Sequence, residues 1–174
     1  MKTIISNIIE KIDNKIVQSK DYLHIPNSKI QLLYIDIKQY KKKDLILPSG
    51  TIIKPGNFVG EIHVDNKKIK NMNLGLKTTV ALLRDELDSL SIAILNDSRF
   101  SSITAFYGRT ILYSLLKREG FTILDLDRNL KVIVVEIWTK LLRLIYSNNN
   151  ISNSNRKVKE FWITREELLK RKML

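Results

Sequence analysis

Gly56-Asn57-Phe58-Val59-Gly60-Glu61-Ile62-His63-Val64-Asp65-Asn66 is the stretch on which the reading of this chain turns. Two turn residues open it, and the residues that follow alternate as a strand does. Phe58, Gly60, Ile62 and Val64 fall on one face, and Val59, Glu61, His63 and Asp65 on the other. Two carboxylates and an imidazole therefore line one side of a sheet. This is either a site or a polar strand face satisfied by its neighbours, and the residues leave both readings open.

Upstream, Leu45-Ile46-Leu47 and Thr51-Ile52-Ile53 read as short strands turned by Pro48-Ser49-Gly50. Before them, Ile30 to Tyr40 is rich in β-formers, with Leu33, Ile35 and Ile37 on one face, and Lys41-Lys42-Lys43 ends it. The region is a small antiparallel β unit. Residues 21–29 form a connection holding Pro26 and an incidental His24. Residues 3–19 read as an amphipathic helix on the stripe Ile5, Ile8, Ile9, Ile12, Ile16. It has no aromatic anchor and mixed charge, which favours packing over lying on a membrane. Residues 1–29 are thus an N-terminal helix and connection, and 30–174 a single α+β domain.

Downstream, residues 75–96 form the clearest helix, with Leu76, Val80, Leu83, Leu87, Leu90 and Ile94 in a stripe. Ser102 to Tyr107 is a strand, Gly108 a turn, and Arg109 to Glu119 a helix stopped by Gly120. Phe121 to Leu126 is the next strand, and this strand–helix–strand unit favours parallel pairing by a right-handed crossover. Asp127 caps a helix over about 129–146, although Val132 to Val135 keeps a strand in play. Residues 147–155 are a polar loop and Glu160 to Ile163 a last strand. Thr164-Arg165-Glu166-Glu167 has capping-box spacing and starts a terminal helix. The order of elements predicts one α+β domain with a mixed sheet.

Composition narrows the function classes. The chain has 174 residues, no cysteine and a formal charge of +12. Disulfides, thiolate metal sites and cysteine nucleophiles are excluded. So basic a balance suits anionic partners, or reflects a lysine-rich proteome. No segment is apolar for the roughly 18–20 residues of a membrane span. Glu10, Lys11, Asp13 and Lys15 interrupt any signal-peptide core, so a cytoplasmic setting is expected.

The two histidines, His24 and His63, are far apart and form no metal-binding spacing. No cofactor and no metal site are expected, since closed sites need about four ligands. There is no nucleophile elbow, phosphate-binding glycine loop or dinucleotide fingerprint. Glu61 or Asp65 is placed to orient His63 as a general base, but no nucleophile is visible. Tyr107-Gly108-Arg109-Thr110 is a second candidate, where unpaired amides at a helix start and the Arg109 guanidinium suit an anion. A third reading is nucleic acid, since Tyr40, Phe161 and Trp162 adjoin basic clusters. No recognition motif accompanies them, and no sequence-specific complex is expected.

Three stretches together resemble the YkoP-like domain family. They are Leu47-Pro48-Ser49-Gly50 with Pro55-Gly56 and Val59 to Asn66; Ile103 to Thr110 with Glu119-Gly120-Phe121; and Glu160-Phe161-Trp162-Ile163-Thr164-Arg165. The resemblance runs from about Leu45 to Leu169 and leaves out the N-terminal helix and the Asn-rich loop. It implies a domain that stands alone or behind a polysaccharide deacetylase domain. The paired aspartates and His-x-x-x-His motif of that deacetylase are missing here, so its catalysis does not carry over. What carries over is a setting in bacterial cell-envelope polysaccharide metabolism.

The expectation is an accessory domain that binds an anionic or glycan-related ligand, or an envelope-glycan enzyme. Asp65, Asn66, Tyr107, Arg109 and Thr110 are its ligand-binding candidates. The alternatives are a hydrolase or transferase using His63 with Glu61, and a non-specific nucleic-acid binder. A binding domain is favoured over an enzyme.

Overall fold

The computed structural model describes residues 22–65, 68, 72, 76–110, 113–126 and 158–171. The expected helices over 3–19 and 129–146, the polar loop 147–155 and Asn66 lie outside the described residues. The described strands are β1 (Leu23–His24), β2 (Leu33–Gln39), β3 (Leu45–Ile46), β4 (Ile52–Ile53), β5 (Phe58–Val64), β6 (Ile103–Thr110), β7 (Thr122–Leu124) and β8 (Lys159–Thr164). The described helices are α1 (Leu76–Asn96), α2 (Tyr113–Arg118) and α3 (Arg165–Lys170).

Six strands form one sheet in the order β1-β2-β5-β6-β8-β7, and β3 pairs with β4 separately. β2 is antiparallel to β1 and β5, whereas β5 and β6 are parallel. The sheet is therefore mixed and the fold class α+β. The order departs from expectation at one point: β8 lies between β6 and β7, so those two strands do not pair. Glu160 to Thr164 of β8 are all buried, as suits a strand flanked on both sides, while β7 is half-buried throughout. β1 falls inside the stretch read as a connection. Two residues are too few to show a period.

The described residues fall in two compact units, those within 22–108 together with 162–171, and those within 109–126 together with 158–161. In the first unit, Leu33, Ile35, Phe100, Phe106, Leu87, Leu90, Ile94 and Trp162 are fully buried. The close approach of β5 to β6 depends on Gly60, where an added Cβ would lie 2.7 Å from Phe106 Cδ1 and 2.9 Å from Ile35 Cγ2. Helix α1 brings Glu86 into this core. One of its carboxylate oxygens accepts from the Ser28 hydroxyl, and the other accepts from the Leu33 N–H at 3.0 Å. Helix α3 starts with the expected capping box, Thr164 with Glu167. Ser91 Oγ on α1 donates to the Leu168 carbonyl at 3.0 Å and ties α3 to α1.

In the second unit, α2 ends as Gly120 predicts. Gly120 has φ 87, the Phe121 N–H donates to the Leu116 carbonyl, and the Gly120 N–H donates to the Lys117 carbonyl. This is the Schellman pattern. The start of α2 needs correction. β6 runs on through Gly108 and Arg109 to Thr110, and α2 begins at Tyr113. Gly108 is not among the left-handed glycines. It is buried inside a strand instead of turning the chain.

Candidate functional site

The register of β2 on β5 builds the site. Tyr34 faces His63 and Asp36 faces Glu61, while on the other side Glu61 faces Tyr107 of β6. Directly paired residues share a face of the sheet. Tyr34, Asp36 and Lys38 thus join His63, Glu61 and Tyr107 in one polar and aromatic row. The opposite face carries Ile35, Gly60, Ile62 and Phe106, so the same alternation that seals the core produces the row.

Lys38 holds the centre of the row. Its ammonium donates to Asp36 Oδ2 at 3.2 Å and also to Glu61 Oε2. Burial works to raise the Glu61 carboxyl, but the neighbouring His63 and Lys38 outweigh it and hold it well below the usual carboxylate range. Burial likewise works to lower the Lys38 ammonium. The Glu61 hydrogen bond and the charges of Glu61 and Asp36 overcome this and raise it well above the usual lysine value. Both groups are therefore ionised at neutral pH. Lys38 Nζ also lies 5.8 Å from the centroid of the Tyr107 ring.

Aromatic rings frame these charges. The His63 ring stacks on Tyr34 at 5.3 Å and 9° and meets the edge of Tyr22 at 5.3 Å. The Tyr107 ring stacks on Trp162 at 4.7 Å and 17°. His63 Nε2 is shielded and has no hydrogen-bond partner among the described residues, and Glu61 Oε2 lies 3.7 Å away. That is an ion-pair distance for a protonated ring, beyond hydrogen-bond reach. Packing against the two tyrosines, more than the carboxylate, sets the plane of the imidazole.

Asp36, Glu61 and His63 each offer a ligand atom, and the three atoms lie within 4.8 Å of one another. A cation entering there must displace the Lys38 ammonium, which already bonds both carboxylates.

The other candidates are placed differently. The Asp65 N–H donates to the Leu32 carbonyl, and Asp65 Oδ1 accepts from the Lys68 N–H at 2.8 Å, so its carboxylate caps a turn. Arg109 is not at a helix start, because β6 continues to Thr110; its Nε lies 3.9 Å from Glu160 Oε2. The anion site expected from helix amides at Arg109 is therefore not formed. Thr110 is the last residue of β6. Tyr40, Phe161 and Trp162, the rings considered for base stacking, are all buried.

Asp36, Lys38 and Tyr34 are the site residues that the sequence reading missed. The signal was present: with Leu33, Ile35 and Ile37 on one face of β2, these three occupy the other. What pairs them with Glu61 and His63 is the register, which no local pattern prints.

A mixed α+β sheet carrying this row across β2, β5 and β6 defines a small domain with one half-buried cluster of charge and rings. The chain matches the YkoP domain over residues 2–172 and belongs to that family. The match takes in the N-terminal stretch and the Asn-rich loop, which the resemblance had left outside. No curated protein and no solved structure matches the chain.

Proposed function

We propose that the protein is an accessory binding domain of bacterial cell-envelope polysaccharide metabolism, and that the β2–β5–β6 row is its ligand site. The observation that carries this reading is the Asp36–Lys38–Glu61 cluster set between the Tyr34–His63 and Tyr107–Trp162 ring pairs. The half-buried His63 and Tyr107 rings, backed by the buried Tyr34 and Trp162, lie beside fixed donors and acceptors and suit sugar rings and their hydroxyls. The charge balance selects between the two ligand classes. One ammonium answers two carboxylates, so the row offers little to an anion and more to a neutral glycan. The envelope setting draws on the attachment to polysaccharide deacetylase domains that the family resemblance implies.

Thermal-shift measurements with glycan fragments, sugar phosphates and nucleotides test this, since a ligand stabilises the state it binds. Glycan fragments should raise Tm, and Asp36→Asn or Tyr107→Ala should abolish the rise. If no fragment moves Tm, the row is not a small-ligand site and an enzyme partner becomes the remaining target. A rise that survives both substitutions places the ligand elsewhere.

One observation favours a second reading, catalysis with His63 as general base: its Nε2 has no hydrogen-bond partner among the described residues and a carboxylate at 3.7 Å. In that case His63→Gln lowers kcat for a glycan ester or amide far more than it raises KM.

A further inference from the structure

Three of the exposed large apolar side chains, Ile46, Ile52 and Phe58, belong to one short run of chain. Residues 41–55 leave the main sheet at the end of β2 and return to it at β5. The excursion is closed at its neck, where the Tyr40 N–H donates to the Asn57 carbonyl and the Gly56 N–H donates to the Tyr40 carbonyl, both at 2.8 Å. Its tip is the β3–β4 hairpin, in which Ile46 pairs with Ile52 and Leu45 with Ile53. Ile53 and Leu47 are buried and hold the hairpin down. Ile46 and Ile52, on the other face, are 69% and 44% exposed. Two exposed apolar side chains opposite each other on a solvent-facing hairpin cost solubility.

Charge surrounds the pair. Lys41, Lys42, Lys43 and Lys54 are exposed and lie within five residues of it along the chain, against one acid, Asp44. The cations are all lysines, point charges that suit a diffuse negative surface and lack the fork that grips a single phosphate or carboxylate. Exposed aliphatic side chains with exposed lysines flanking them along the chain match a bilayer interface, where the tips enter the acyl boundary and the ammoniums stay among headgroups.

We propose that the 41–55 excursion docks the protein on an anionic lipid surface, with Ile46 and Ile52 inserted and the lysines at the headgroups. The docking is independent of the ligand row.

Co-sedimentation of the full chain with vesicles at physiological salt tests this. Vesicles of phosphatidylcholine mixed with phosphatidylglycerol should bind the protein at least about tenfold better than phosphatidylcholine alone. Ile46→Ser with Ile52→Thr leaves the charge unchanged and should lower that binding several-fold, as apolar insertion requires. Leu95→Ser removes another exposed apolar side chain, on α1, and should change nothing. Lys41→Gln with Lys43→Gln should weaken binding to the mixed vesicles. All the replaced side chains are exposed, and thermal melts confirm that each variant is folded. The proposal is overturned if the wild type does not bind mixed vesicles. It is equally overturned if the isoleucine variant binds as the wild type does, because net charge alone then explains the attraction. Equal losses in the Leu95 and isoleucine variants also overturn it.

Discussion

The Lys38 ammonium bonds two carboxylates, one of them on a buried glutamate, and this makes residue 38 the sensitive point of the row. Lys38→Met leaves Glu61 without its counter-charge. The expected cost is about 1–2 kcal/mol, less than for a fully buried pair because the lysine side chain is 36% exposed. Urea titration at neutral pH measures it. Glu61 gives the pH dependence. Its folded pKa lies below the unfolded one, so its contribution is complete above the ordinary glutamate value of about 4.3. The contribution is lost as pH falls from there toward the folded value. The stability gap between wild type and Glu61→Gln should therefore be constant from pH 7 to pH 5 and shrink below. A gap that widens in acid would show that the carboxylate is not held ionised by its neighbours.

At the scale of elements, β5 depends on Gly60 for its contact with β6. Gly60→Ala sets a methyl group against Phe106 and Ile35 and should cost about 1–3 kcal/mol. Phe106→Leu should relieve part of that cost in a double-mutant cycle. Glu86→Ala orphans the Ser28 hydroxyl and the Leu33 N–H together. It should destabilise by about 2–3 kcal/mol, with Glu86→Gln recovering some of the loss. The legible elements were those specified by a few adjacent residues: the β5 alternation, the Pro48-Ser49-Gly50 hairpin, the Gly120 stop and the Thr164 capping box. Contacts between distant segments were not legible. Asp36 meets Glu61 through a register, and Glu86 is an ordinary polar position by helical period until it reaches the backbone of Leu33. Gly108 misled for a related reason, since glycine serves both a turn and a tightly packed strand.

For the whole molecule, the charge of +12 predicts attraction to polyanions without recognition. The three rings that adjoin basic clusters are buried. Lys68 Nζ donates to the Ile30 carbonyl, Lys159 Nζ pairs with Asp125 at 2.9 Å, and Arg165 donates to the carbonyls of Ile94 and Phe100. Fluorescence anisotropy with short DNA and RNA should show roughly micromolar or weaker binding that fades with salt and ignores sequence. Submicromolar, sequence-dependent binding would overturn that expectation. The place of β8 in the sheet has a consequence for biosynthesis. As the chain emerges from the ribosome, β6 is made long before the strand that covers its free edge. Until then the nascent protein presents an open row of backbone donors and acceptors on a β-rich template. Pairing across so large a sequence separation is slow. Ribosomes stalled before Lys159 should therefore carry chains that recruit chaperones and aggregate on release, while chains stalled on a C-terminal linker long enough to carry β8 and α3 out of the exit tunnel should not.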